Sequence, residues 1–206
     1  MPDWNEIFTK KGIVFTEPHG EMERITTLFR ENKVNKILDL GCGTGRHLIF
    51  FSKKCFETYG FDASPKALSL ANQWLEEEHM KADLKLHRME KKFPYEDNFF
   101  DAVISIQVIH HNLMKDIVKT VEEIERVLKI GGLIYITFPK LGETWVNNGN
   151  LKEVEKGTYL PQNGKEKGLL HHFFTLEEIQ NVFKSFDLHE VNDDGKNHRA
   201  IFGIKD

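Results

Sequence analysis

Residues 36–45 read Lys-Ile-Leu-Asp-Leu-Gly-Cys-Gly-Thr-Gly, an apolar run that ends in an aspartate and then in three glycines spaced two apart. Few folds accommodate this pattern. The run Ile37 to Leu40 is short, bounded by polar and glycine residues, and reads as a buried strand. Gly41, Gly43 and Gly45 follow it at once, and Arg46 to Lys54 reads as a helix. Glycine there permits positive φ and removes the Cβ that would keep a ligand away from the main chain. A strand, a glycine turn and a helix together suggest an open α/β sheet, which binds ligands at the carboxyl ends of its strands where the strand order reverses.

The rest of the chain supports that architecture. Met22, Ile25, Leu28 and Phe29 fall on one helical face within 21–31. Glu57 to Asp62 is a second short strand, and Ser64-Pro65 opens a helix to about Glu78, with serine as cap and proline at the first position. Strands are expected at 84–87, 100–106 and 133–138, and a helix at 117–128 that ends near Gly131-Gly132. Thr175 and Glu178 form a capping-box pattern that starts a helix to about Lys184. Two late strands, 187–191 and 200–204, have no helix between them and suggest an antiparallel hairpin at one sheet edge. Strands alternating with helices argue for parallel βαβ units. The fold class expected is α/β: a Rossmann-like, doubly wound, seven-stranded, mostly parallel sheet with a C-terminal antiparallel strand and helices on both faces.

At 206 residues the chain fits one domain over 1–206, and 40% apolar residues suffice for a substantial core. Net charge is −4, which gives no electrostatic case for a nucleic-acid partner. Cys42 and Cys55 have neither metal-ligand spacing nor a disulfide framework, which fits a reducing, cytoplasmic setting. The first residues show no basic region followed by an apolar run, and no segment approaches the ~20 apolar residues of a membrane span. No membrane partner is therefore expected. Pro139 to Leu170 breaks the alternation and is too long for a plain connection. It reads as part of a substrate-side cap over 139–172, with a small hairpin around Tyr159 and with Trp145 and Tyr159 as candidate apolar walls.

Asp62 ends the second strand, where a carboxylate can accept both hydroxyls of a ribose. Two cofactor classes use such a site. The dinucleotide fingerprint wants a small residue where this chain has Arg46, and Asp39 would set negative charge beside a pyrophosphate. Both features disfavour NAD and suit a cationic ligand.

Residues 36–138 resemble the class I S-adenosylmethionine-dependent methyltransferases, in the broad group of small-molecule enzymes. ILDLGCGTG is similar to that family's first motif and GFDASPKALSLA to its second. FPYEDNFFDAVISIQVIHH, VEEIERVLKIGGLIYITF and HHFFTLEEIQNVF follow in the family's order. The resemblance implies S-adenosylmethionine as cofactor, its amino acid moiety over Gly41, Cys42, Gly43 and Gly45 and its ammonium near Asp39. Asp62 would hold the ribose, and Ile106 and Gln107 would border the sulfonium end. The family's usual acidic residue before its LPF element is Met89 here, with Glu90 next, so the adenine contact departs from the pattern.

Methyl transfer needs alignment above all, and a base only for a protonated acceptor. His111, His171 and His172 are the candidate catalytic residues, beside His110. No metal set is expected, because no acidic or cysteine ligand accompanies the histidines at recognisable spacing. Trp4, Phe8 and Phe15, within an N-terminal helical lid over 1–33, would lie near the cofactor mouth. The sequence leaves open a small-molecule methyltransferase, a binding protein for S-adenosylmethionine without catalysis, and, less favoured, an NAD-dependent oxidoreductase. It does not identify the acceptor or the oligomeric state.

Overall fold

The computed structural model describes residues 4–142, 150–164, 166–193 and 198–206, and Trp145 lies outside them. The apolar run before the glycines is strand β1 (Lys36–Leu40), buried over its last four residues. Parallel strands follow in chain order: β2 (Glu57–Asp62), β3 (Asp83–Leu86), β4 (Phe100–Ile106) and β5 (Leu128–Pro139). A separate small sheet holds β6 (Leu151–Glu155), β7 (Thr158–Pro161) and β8 (His171–His172). The chain then returns with β9 (Phe186–Asp193) and β10 (His198–Lys205). The seven-stranded order is β3-β2-β1-β4-β5-β10-β9, with β10 antiparallel to both its neighbours. The expected class, strand number and C-terminal hairpin all match. The order reverses between β1 and β4, so a crevice opens at their carboxyl ends.

Alternation along the strands makes two cores. Leu38, Leu40, Val103 and Ile134 face α5 (Met114–Val127) and α6 (Leu176–Val182), while Ile37, Ile104 and Tyr135 face α2 (Met22–Glu31) and Phe51 of α3 (Arg46–Ser52). Asp39 shares its strand face with Ile37. That alternation buries a carboxylate at the strand's end beside α3.

The expected caps are present. Ser64 Oγ accepts from Ala67 N at 3.0 Å at the start of α4 (Pro65–Glu77), and Thr175 and Glu178 form the reciprocal box of α6. The boundaries of α5 and β5 differ from expectation. Helix α5 starts three residues before Ile117, because its first turn, Met114 to Asp116, carries little of the apolar periodicity. It ends at Val127, and β5 runs through Gly131-Gly132, where the β4–β5 register shifts between Phe100 and Ala102.

The small sheet is docked on the large one. Glu155 Oε1 accepts the N–H of Met114 at the start of α5, and His172 N donates to His110 O at 2.9 Å. The hairpin expected around Tyr159 is β6–β7, turning at Gly157 with φ +78°. At the other end of the chain, α1 (Trp4–Lys11) sits on the start of α4: Asn5 Oδ1 accepts from Ser64 Oγ at 2.8 Å and from Lys66 N at 3.1 Å. Among the described residues no helix is long and apolar enough to cross a membrane.

Candidate active site

A cavity of about 810 Å³ opens at the carboxyl ends of β1 and β4. Its floor is the glycine turn. Gly41 has φ +72°, and a Cβ there would stand 2.3 Å from Val108 Cγ1, so the turn and the segment after β4 touch main chain to side chain. Gly43 has φ +53° and only Phe8 Cζ, at 3.7 Å, above its missing Cβ. Asp62 is pinned by the turn: Gly43 N donates to Oδ2 at 2.9 Å and Ser64 N to Oδ1 at 2.8 Å. Burial raises its pKa even so, against those hydrogen bonds. Each oxygen keeps a lone pair for a further donor.

Asp39 is the most perturbed carboxyl of the cavity wall. It is 2% exposed, its Oδ2 has no hydrogen-bond partner, and burial pushes its pKa up to about 7, with Arg46 pulling down and Asp62 pushing further up. His47 Nδ1 is 3.9 Å from that oxygen. The backbone N–H of His19 donates to His47 Nε2 at 3.1 Å, so the ring proton sits on Nδ1 and faces Asp39. Burial and the neighbouring Arg46 hold His47 neutral, well below its ordinary range. Arg46 itself lines the cavity, donates to Glu17 O at 3.2 Å and lies over the Phe15 ring at 5.0 Å. It thereby ties the N-terminal segment to the site.

At the other end, Gln107 holds an unusual φ of +61°, fixed by its N–H to Thr137 O at 3.1 Å and to Thr137 Oγ1 at 3.0 Å. Its side-chain amide meets His198 Nε2 at 3.1 Å. His110 and His111 follow, their rings tilted at 41° with centroids 4.0 Å apart, and His171 of β8 is edge-on to His111 at 4.7 Å. Burial, with His171 beside it, lowers His111 to about 4, and burial with the other imidazoles holds His110 lower than usual.

The sequence-expected residues divide cleanly. Asp39, Gly41, Cys42, Gly43, Asp62, Met89, Glu90, Ile106, Gln107, His111 and His171 all line the cavity. Gly45 and His172 do not. Gly45 caps α3 at φ +91°, and a Cβ there would stand 3.2 Å from Ala71 Cβ, so its place is where α3 packs on α4. His172 is fully buried in the small sheet, with Nδ1 2.7 Å from Thr158 Oγ1. Tyr159 does not line the cavity either; the cap contributes Glu166, Leu169, Leu170 and His171 instead. Trp4, Phe8 and Phe15 reach it as expected. Glu90 lies beside Arg88: burial raises its pKa, but the Arg88 hydrogen bond, a backbone N–H and the charges of Arg88 and Lys91 together outweigh that and leave it lowered.

Sequence reasoning missed the parts played by Arg46, His47, Glu166 and His198. A polar His47 ahead of the apolar Leu48 to Phe51 was a usable signal for a buried function. Glu166 gave none, since it stands in a charged stretch that reads as solvated.

Residues 38–136 match the family described as "Methyltransferase domain". This segment is a methyltransferase domain. Its relatives include a tRNA (carboxymethyluridine(34)-5-O)-methyltransferase of Arabidopsis thaliana, 36% identical over 105 residues, which are 49% of this chain and 23% of that one. The chain therefore spans about a quarter of that relative's length. A protein from Pyrococcus horikoshii OT3 shares the fold at a TM-score of 0.77 and 20% identity, covering 98% of this chain and 99% of that one. So does the Burkholderia thailandensis 1,6-didemethyltoxoflavin-N1-methyltransferase, solved with bound 1,6-didemethyltoxoflavin and S-adenosylhomocysteine (TM-score 0.71, 15% identity, 98% and 85% covered). S-adenosylmethionine is the cofactor of this methyltransferase family.

Proposed function

We propose that this chain transfers the methyl group of S-adenosylmethionine to a small-molecule acceptor held in the same cavity, in a cytoplasmic setting consistent with its two free cysteines. The observation that carries the reading is Asp39: a buried carboxylate with an unpartnered oxygen at the rim of a glycine turn. A cationic ammonium satisfies it and draws its pKa down. Asp62, already oriented by two backbone N–H groups, has lone pairs left for two ribose hydroxyls. Met89 supplies an apolar edge for adenine, and Glu90, bonded to Arg88, supplies a carboxylate beside it.

When bound, the cofactor supplies an electrophilic methyl on a sulfonium. The chain's own contribution is alignment and exclusion of water. Trp4 and Phe8 of the N-terminal helix, acting as a lid over 1–33, close one side, while Leu169 and Leu170 of the cap over 139–172 close the other. Held alignment of this kind lowers a barrier by up to ~7–11 kcal/mol in well-oriented model reactions. Of the candidate catalytic residues, His111 and His171 stand on the acceptor side, and His172 contributes through the packing of the small sheet.

The name of the Arabidopsis relative favours a second reading, an RNA acceptor. Walls from both the N-terminal helix and the cap, and the net charge of −4, support the small-molecule reading instead. Methyl-labelled S-adenosylmethionine incubated in parallel with a small-molecule cell fraction and with total tRNA tests it. Label in the small-molecule fraction is the expected result. Label in tRNA alone overturns the acceptor class, and no label with intact cofactor binding leaves a binding protein without catalysis.

A further inference from the structure

We infer that His110, His111, His171 and Glu166 form a binding site for a divalent transition-metal cation of the Zn2+, Fe2+ or Co2+ type, inside the proposed acceptor end of the cavity. The three imidazoles come from two chain segments about sixty residues apart, the end of β4 and strand β8. One nitrogen from each ring lies within 4.8 Å of the others. All three residues, and Glu166, line the cavity.

The hydrogen bonds around the rings orient them for ligation. His111 Nδ1 meets Leu170 O at 2.8 Å and His171 Nδ1 meets Leu169 O at 3.1 Å. A carbonyl oxygen only accepts, so both Nδ1 atoms carry protons and both Nε2 atoms face away from the backbone. Backbone carbonyls on the outer nitrogen are how metal-bound imidazoles are held in tautomer and orientation. His110 is 3% exposed and its Nδ1 has no hydrogen-bond partner.

The fourth group is the most telling. Glu166 Oε2 stands 2.8 Å from His171 Nε2. A carboxylate and the lone pair of a neutral imidazole are both acceptors, so a positive charge must lie between them: a proton or a cation. A cation held by the three rings supplies that charge; Glu166 stands outside the set of atoms within 4.8 Å of one another, beside His171, and turns in to become the fourth ligand. Three imidazole nitrogens and one carboxylate select a borderline transition ion over Mg2+ or Ca2+, which take oxygen sets. Tetrahedral ligation at ~2.0–2.1 Å sets the nitrogens about 3.4 Å apart, so binding draws the rings together from their present spacing. The site itself does not depend on methyl transfer. Its consequence does: if the methyl-transfer reading holds, the acceptor carries an oxygen, nitrogen or sulfur atom that ligates the cation and loses a proton on doing so.

Cobalt tests this directly. The protein is stripped with a chelator and titrated with Co2+, following visible d–d absorption, with S-adenosylhomocysteine binding measured on the same sample so that the cofactor reading is judged separately. One saturable equivalent, displaced by Zn2+, is expected. Glu166→Gln, at a partly exposed position, should fold normally by its melt without metal and weaken Co2+ roughly 10- to 100-fold or more. His171→Gln should abolish the absorption, and His189→Gln, on the exposed face of β9, should leave it unchanged. No saturable cobalt spectrum, or one that Glu166→Gln leaves intact, overturns the site and makes the bridging charge a proton.

Discussion

Replacing Asp39 by asparagine separates two consequences of one buried charge. In the unfolded chain this carboxyl titrates at its ordinary value of 3.8; in the folded protein burial moves it to about 7. The folded state therefore binds more protons between those values, and the group's effect on stability follows. Below pH 4 both states are protonated and the carboxyl costs nothing. As pH rises the ionised form is favoured in the unfolded chain, so the fold loses stability until pH passes about 7. The full penalty is at most about 4 kcal/mol, three pKa units at 1.36 kcal/mol each. Asparagine is nearly isosteric and carries no charge. Asp39→Asn should thus melt higher than the parent at pH 8, at about 2–4 °C per kcal/mol for a chain of this length. The gain should shrink towards zero at pH 4. The same change removes the proposed partner of the cofactor's ammonium, a charged hydrogen bond worth ~1.5–3 kcal/mol, so S-adenosylhomocysteine should bind roughly 10- to 100-fold more weakly. Melting curves at both pH values and calorimetry at pH 8 give both numbers. A variant that melts no higher than the parent at pH 8, or binds the ligand equally well, refutes the assignment.

Other perturbations probe the remaining contacts. Asp62→Ala should cost roughly 10- to 100-fold in S-adenosylhomocysteine affinity by titration calorimetry; near-native affinity would mean the ribose is held elsewhere. Gly41→Ala places a methyl 2.3 Å from Val108 Cγ1 at φ +72°, and should destabilise by ~1–3 kcal/mol or more in urea unfolding. The Gly41→Ala/Val108→Ala pair should recover part of that, the strain of the turn remaining. Met89→Asp sets a second carboxylate beside Glu90 and removes apolar packing, so affinity should stay level or fall; a clear gain would show that adenine lacks an acceptor in the natural protein.

The strands, their alternation with helices and the glycine turn were legible because each rests on local pattern: apolar runs of four to seven residues, caps, and glycines at a strand end. Asp39 and Asp62 were legible for the same reason, since strand ends fix where their side chains go. What escaped depends on contacts distant in sequence. His110 and His111 meet His171 only because β8 returns over the end of β4. Glu166 joins them from a stretch whose charges read as solvated. Helix α5 began early because its first turn lacks apolar periodicity, and β8, two residues long, is too brief to show a period at all. His172 and Gly45 carried the right residue types for the site but face inward, to Thr158 and Ala71.

The proposed occupant of the cavity over the glycine turn is S-adenosylmethionine and not a dinucleotide. Titration calorimetry of the purified protein with S-adenosylhomocysteine and, separately, with NAD tests it most directly. One saturable site for S-adenosylhomocysteine is expected, with affinity that rises with pH up to about 7 as Asp39 ionises, and no heat with NAD. Absence of S-adenosylhomocysteine binding, or saturable binding of NAD, contradicts it.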